Sequence, residues 1–477
     1  MTVPDTCPGT GAVAATDEGP TARLATFVSQ LSFADIPSSV IEHVKLALVD
    51  LLGCALYGTT LPWTQLAHRY VRSEQAGPAA TLWGTTLRTS ATLATLANGT
   101  AAHAAEIDDL HKASFHHPSA AVVPAALAVA ESLPRTVTGA ELLTAIVAGY
   151  EVCTRVGAAL GQGHFTAGYH PQGTAGVFGA AAAAARLRDL GPGSTVHALG
   201  IAGTQASGLM AAQEGAMVKR MHAGLAGQTG VRAAALAAEG FTGIVDVFEA
   251  TFGGLLTTLG TPASDPARLT AGLGTVWHSG EIEFKRHAAC AAIHSSLDVL
   301  EDLIAKHKVA APDVASVRVR CTTHAFLHCG FPYRPKGATA AQMSFQYCVA
   351  AMLIFGAVAV DQFADDLLAE PDLLKLAARV EVTPETRFDE LGADGRHAVR
   401  VEVLTGTGVT LSGDRGRRRG GVDDPVPPTA IIDKYRRLAA HALDDRGVAA
   451  LLDLIVHLER GDDVRALTTL MAGRGTR

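Results

Sequence analysis

Between His103 and Ser119 the chain reads HAAEIDDLHKASFHHPS, which places one glutamate, two aspartates, four histidines, a lysine and two serines between two alanine-rich segments. Carboxylates and imidazoles in an apolar frame are costly to desolvate unless they pair with one another or wait for a ligand. If Glu106, Asp108, Asp109, His111 and His117 converge, one carboxylate can orient an imidazole that works as acid or base near neutral pH. The plainer alternative is a capped junction between helices, with aspartate accepting backbone N–H bonds and histidine packed on Pro118.

Four further groups carry chemistry. Tyr169-His170-Pro171 sets an imidazole inside a glycine-rich segment. In Lys219-Arg220-Met221-His222-Ala223-Gly224 a lysine stands out, because the chain has only nine lysines against thirty arginines. Lys219 and His222 share a helix face at i, i+3, and with the positive helix N-terminus they could hold a carboxylate or phosphate. Phe284-Lys285-Arg286-His287, with Cys290 and His294, adds positive charge that could equally be a solvated turn. Cys321-x-x-His324-x-x-x-His328-Cys329 has the residue types of a zinc cluster but lacks a CxxC pair, so both cysteines could simply be buried.

The elements that must position these groups are mostly helical. Apolar residues recur at helical spacing through Leu24, Phe27 and Val28, and again from Val40 to Leu52, predicting two helices joined at Ile36-Pro37-Ser38. A Trp-containing turn and the Ala/Leu/Thr segment from Ser90 to Ala104 lead into the ionisable stretch. Helices are then expected from Pro118 to Leu133 and from Glu141 to Leu160. The run Gly161–Gly191 is not a dinucleotide loop: its spacing is Gly173-x-x-Gly176-x-x-Gly179 and no strand precedes it, so close helix contact through small residues is expected. Val196–Gly240 reads as helix broken at Glu214-Gly215. Beyond Thr261 come short β-branched runs, Val314–Cys321 and Val380–Thr383, and a hairpin signal in Val399–Leu404 and Val409–Ser412. They mix with helices at His294–His307 and Ser344–Ala357, and helix returns over Ala430–Ala472.

A chain of 477 residues exceeds what one core usually fills, so two domains, or one with an insertion, are expected. A formal charge of −7 without a basic stripe gives no reason to expect nucleic acid, the short Arg415–Arg419 run included. Seven scattered cysteines without a CxxC argue against a disulfide framework and point to a reducing cytoplasm. The first nineteen residues hold no lysine or arginine and read as a loose tail rather than a secretory signal. No uninterrupted apolar run reaches about 18 residues, so no transmembrane helix is expected.

Taken in order, the ionisable stretch, Tyr169-His170-Pro171 with its Gly/Ala-rich helix, the Lys219–Gly224 motif, Phe284-Lys285-Arg286 and Ser344-Phe345-Gln346-Tyr347 resemble the MmgE/PrpD family. That family includes 2-methylcitrate dehydratase, cis-aconitate decarboxylase and an iminodisuccinate epimerase. The resemblance implies a mainly α fold: a large all-helical domain built from both ends of the chain, an inserted α+β lid, a homodimer, and a site in the cleft between domains. The corresponding boundaries are a tail over 1–20, the helical domain over 21–265, the lid over 266–425 and returning helices over 426–477. It also implies lyase or isomerase chemistry on a small polycarboxylate with neither metal nor organic cofactor. Carried over by position, Glu106, His117, His170, Lys219 and Tyr347 are the expected catalytic residues, and Asp109, His111, His222, Lys285 and Arg286 the substrate-binding ones.

Cis-aconitate decarboxylases of the family carry Asp at the position of Glu106 and Thr at that of Leu110, and lack one residue between Asp109 and His117. The expected activity is therefore a hydro-lyase acting on a hydroxy-polycarboxylate such as 2-methylcitrate, with decarboxylation or epimerisation on the same scaffold as the nearest alternatives. A carboxylate-binding dimer without catalysis and a zinc enzyme are the readings of other classes.

Overall fold

The computed structural model describes residues 19–392 and 395–473. The expected tail over 1–20 therefore lies almost wholly outside the described residues, as does Cys7; Pro20 already opens the first helix. The first half is helical: α1 (Pro20–Gln30), α2 (Ser38–Gly58), α3 (Pro62–Ser73), α4 (Ala91–Ala102), α5 (Pro118–Ser132), α6 (Gly139–Thr166), the single turn α7 (Pro171–Thr174), α8 (Gly176–Leu187), α9 (Pro192–Gly203), α10 (Val218–Ala238) and the short α11 (Leu255–Thr258). The first part of the expected Trp-containing turn is instead α3: Pro62 sits in its first turn, and Ala67, His68 and Val71 form a buried stripe. Trp83 lies in the turn of a small hairpin, β1 (Ala80–Thr81) with β2 (Arg88–Thr89).

Small residues decide how closely these helices approach. A β-carbon at Gly99 of α4 would lie 2.7 Å from the Gly224 α-carbon of α10, and one at Gly149 of α6 would lie 2.8 Å from the Gly179 carbonyl oxygen of α8. Neither contact admits a side chain. The glycine-rich region thus works as helix-packing surface, with α8 and α10 in direct contact. By length and composition α6 could cross a membrane, but its most apolar window is entirely buried inside the molecule.

The second core is α+β. A four-stranded sheet has the order β4-β3-β5-β6, with β3 (Val314–Cys321) parallel to β4 (Val380–Pro384) and antiparallel to β5 (Val399–Thr405), which pairs in turn with β6 (Thr410–Arg415). Inward Val317, Val319, Val401 and Val403 alternate with outward charged residues and pack with α12 (Ala291–His307) and α15 (Phe345–Phe355). Between these elements run α13 (Thr323–Cys329), α14 (Ala338–Gln342), α16 (Pro371–Ala377) and α17 (Thr386–Asp389). The chain ends in α18 (Pro428–Ala439), α19 (Asp445–Val456) and α20 (Arg465–Met471), and α18 lies along α2.

The ionisable stretch joins α4 to α5 where the two cores meet, and Ala105 and Ile107 already belong to the second. Its backbone is tied across the junction: Leu110 N–H donates to the Glu283 carbonyl at 2.9 Å, and Glu283 N–H returns to Leu110 at 2.7 Å. Lys434 of α18 pairs with Asp50 of α2 at 2.6 Å and donates to the carbonyls of Ile107 and Lys285. One buried ammonium thus fixes the C-terminal helices, the ionisable loop and the segment carrying Lys285 together.

Candidate active site

Glu106 has a φ of +54°, a left-handed conformation that a residue with a β-carbon adopts only at a cost of roughly 1–2 kcal/mol. What holds it there is charge. Its carboxylate accepts from Lys219 Nζ at 2.7 Å, from Lys285 Nζ at 3.0 Å and from the Arg220 guanidinium, and all four side chains are buried. Lys285 also donates to the Glu106 carbonyl at 3.1 Å. Arg220 reaches on to Gln342 Oε1 at 2.6 Å, and Gln342 in turn donates to the Ala105 carbonyl at 2.8 Å. Burial alone would raise the Glu106 pKa, but the three cations outweigh it and hold the carboxyl well below its usual range. Burial, with Arg220 and Lys285 adjacent, moves the Lys219 ammonium below its ordinary value despite Glu106. Three cations around one carboxylate leave a surplus of positive charge facing a cavity lined by Glu106, Lys219, Lys285, His117, His170 and Cys290.

The imidazoles form the opposite wall. His117 precedes α5, and its Nδ1 lies 2.6 Å from the Asp109 carbonyl oxygen and 3.3 Å from Asp108 Oδ2. Both neighbours are acceptors, so Nδ1 carries a proton, which leaves Nε2 to exchange one with a ligand. Gln172 brackets the same residue, accepting from His117 N–H at 3.0 Å and donating to its carbonyl at 3.2 Å. Asp108 also accepts from His103 Nδ1 at 2.8 Å. Burial opposes ionisation of Asp108, yet the Coulombic pull of His103 and His117, and then their hydrogen bonds, hold it well below the usual carboxylate range. Burial in turn drives His103 down to about 3, so that ring is neutral. His170 Nδ1 meets His222 Nδ1 at 2.7 Å, and burial, with Lys219 close by, holds His170 well below its ordinary value. His222 is pushed to about 4, again by burial first.

The cavity thus brings together Glu106, His117, His170, Lys219 and Lys285 among the sequence-derived residues. The other five lie elsewhere. Tyr347 was expected in the cleft, but it is buried in the second core between Tyr333 and Phe363, its hydroxyl donating to the Gln362 carbonyl at 2.5 Å. Arg286 does not line this cavity; it pairs with Asp298 at 2.7 Å and Glu301 at 3.0 Å. Asp109 accepts from Ser119, and burial raises its carboxyl well above the ordinary value, so it serves the site through its carbonyl. His111 bonds Ser114 at 2.9 Å and Glu281 at 3.3 Å. His222 backs His170 from behind.

Several lining residues had no signal in the sequence. Arg396 stacks over Phe115 with its guanidinium carbon 3.5 Å from the ring centroid and donates to the Lys112 carbonyl at 2.6 Å. Burial brings it down to about 10. His324, His328 and His397 line the same space, and only the first two fall in a motif read from the sequence. The zinc-type run is split by the fold: Cys321 lies in β3 with its Sγ toward the Thr383 carbonyl, while His328 and Cys329 gather with Cys290. His103, Asp108 and His117 also lie close enough for a shared ion, but their nitrogen-to-carboxylate contacts read as a hydrogen-bonded relay.

A mainly α fold with an α+β second core and a cation-rich cavity between them suits a small anion better than a polymer. Residues 22–266 match the MmgE/PrpD N-terminal domain and residues 287–459 the MmgE/PrpD C-terminal domain, so the chain belongs to the MmgE/PrpD family. It is 32% identical to a cis-aconitate decarboxylase of Aspergillus terreus, with 95% of this chain and 96% of that one aligned. It is 32% identical to a cis-aconitate decarboxylase-like protein of Aspergillus oryzae over 99% of this chain and all of the relative. To the cis-aconitate decarboxylase of Homo sapiens it is 29% identical, over 95% and 94% of the two chains.

Proposed function

We propose that this enzyme is a cofactor-independent lyase that decarboxylates an unsaturated tricarboxylate of the cis-aconitate type. The observation that carries a polycarboxylate substrate is the surplus of buried positive charge at Lys219, Lys285 and Arg220 beside the His117 imidazole. What favours decarboxylation is the name shared by relatives aligned over nearly the whole chain. In this reading the C–C bond to the carboxylate on the saturated carbon breaks and CO₂ leaves. The electron pair forms a new terminal double bond and displaces the old one onto the carbon next to the far carboxylate. Lys219 and Lys285 stabilise the aci-carboxylate that results. His117, protonated at Nε2 before the step, then delivers one proton to that carbon. One proton is consumed for each CO₂ released.

Dehydration of a hydroxy-polycarboxylate is the second reading, favoured by Glu106, Leu110 and the extra residue before His117. His117 would then remove a proton, and with Tyr347 bonded elsewhere the departing hydroxyl would take its proton from His170. Proton NMR of the purified chain with cis-aconitate, citrate and 2-methylcitrate in parallel separates the two. CO₂ loss from cis-aconitate alone supports the first reading, and water loss from a hydroxy acid with cis-aconitate untouched replaces it with the second.

The reading includes a homodimer, supported by exposed Leu209, Met217, Val218 and Leu225, which a second copy would cover; Leu225→Glu is expected to give monomers in light scattering. It also includes the cytoplasm, supported by six described cysteines that are all free and buried. Export of the native chain through a secretory pathway would contradict that placement.

A further inference from the structure

Cys290, the residue preceding α12, lines the cavity; Cys329 is the last residue of α13, and His328 beside it also lines the cavity. The two sulfurs and an imidazole nitrogen of His328 lie within 4.8 Å of one another. Cys290 Sγ is 3.6 Å from His328 Nδ1. A zinc ion bonded at ~2.3 Å to sulfur and ~2.0 Å to nitrogen in tetrahedral geometry holds such a pair about 3.6 Å apart, so these side chains already stand at ligand spacing. Both cysteines are buried and free, and the α13 histidine one turn earlier, His324, lines the same cavity with a buried Nδ1 that has no hydrogen-bond partner. Two sulfurs and one nitrogen complete three corners of a tetrahedron.

We propose that Cys290, His328 and Cys329 form a binding site for Zn²⁺ or a similar thiophilic divalent ion, with its remaining coordination position toward the cavity, and that its occupation blocks the lyase. The thiol protons still present leave to solvent as the ion binds, and no redox step is involved. The blocking half rests on the functional reading above, since it requires this cavity to be the catalytic one. The metal is an inhibitor in this proposal, so a chelator raises or preserves activity.

The test is a titration of the full-length, reduced chain with Co²⁺ under anaerobic conditions, followed by displacement with Zn²⁺. The expected result is thiolate-to-cobalt charge-transfer absorption that saturates at one ion per chain. Cys290→Ser and His328→Gln should each weaken binding by about tenfold or more, and Cys321→Ser should leave the titration unchanged. His328 is only partly buried, which keeps the test informative if a cysteine variant fails to fold. No charge-transfer band, or a band that survives both Cys290→Ser and His328→Gln, overturns the site. Turnover that persists at full Zn²⁺ occupancy overturns the blocking. A site that binds as expected in a chain whose metal-free form turns over no polycarboxylate contradicts the functional reading and leaves the metal site standing.

Discussion

The Lys219 ammonium sits 2.7 Å from the Glu106 carboxylate, with both groups almost fully buried and the glutamate in a left-handed backbone conformation. A carboxylate so pinned cannot exchange protons near neutral pH; it organises cations. Glu106→Gln leaves Lys219, Lys285 and Arg220 crowded without their counter-charge, and the expected stability loss is about 3–5 kcal/mol, the usual effect of breaking a buried pair. Glu106→Asp keeps the charge and should lose less. Denaturant titration of the two variants checks the order.

Lys285 reaches the same carboxylate from the opposite side at 3.0 Å and is the cation held by Lys434 through its carbonyl. Removing the ammonium in Lys219→Met or Lys285→Met should lower kcat/KM by at least about 10²-fold, the scale of losing one donor to a developing oxyanion. Steady-state kinetics with the substrate found in the panel reads this directly. A loss confined to KM would mean that the lysines bind the ground state and the transition state alike.

His117 and Tyr347 should part company. His117→Asn removes the imidazole that delivers the proton and is expected to cost on the order of 10²–10⁴-fold in kcat. Tyr347→Phe removes a hydroxyl committed to the Gln362 carbonyl, so turnover should stay within about threefold while stability falls by ~1 kcal/mol. A catalytic collapse in Tyr347→Phe would place that hydroxyl in the reaction after all.

Stability should fall on acidification well before the carboxylates titrate. Burial holds His68 at about 4 and His103 at about 3, against 6.5 for the ordinary imidazole. As pH drops through 6.5 the unfolded chain takes up protons at these sites while the folded chain does not. The unfolded state therefore binds more protons, and unfolding free energy decreases from pH 6.5 downward until the folded values are reached. Above pH 6.5 this contribution is fully present. His68→Leu, in a helix remote from the cavity and with neither ring nitrogen hydrogen-bonded, should flatten the thermal midpoint between pH 7 and pH 5.

Much of this was legible in the sequence. Helical spacing located α1, α2, α5, α6 and α10, and the glycine spacing identified packing surface, since a β-carbon at Gly179 would lie 2.8 Å from the Gly149 carbonyl oxygen. The cation set was legible too, since Lys219 and Arg220 are adjacent on one helix. What stayed hidden depends on tertiary geometry. Tyr347 has the right motif, but which way α15 presents it is set by packing against Tyr333 and Phe363. Arg286 is committed to Asp298 and Glu301, partners that a four-residue motif does not reveal. Arg396, Cys290 and His328 reach the cavity from segments far apart in the chain.

The central claim is that His117, sharing the cavity with Lys219 and Lys285, delivers the proton that completes decarboxylation. Proton and carbon NMR of cis-aconitate turnover in D₂O, with wild type and His117→Asn side by side, tests it most directly. The expected product carries one deuterium, on the saturated methylene and not on the new terminal alkene carbon, and forms at least about 10²-fold more slowly with His117→Asn. Deuterium on the alkene carbon, or equal rates in the two proteins, would contradict it.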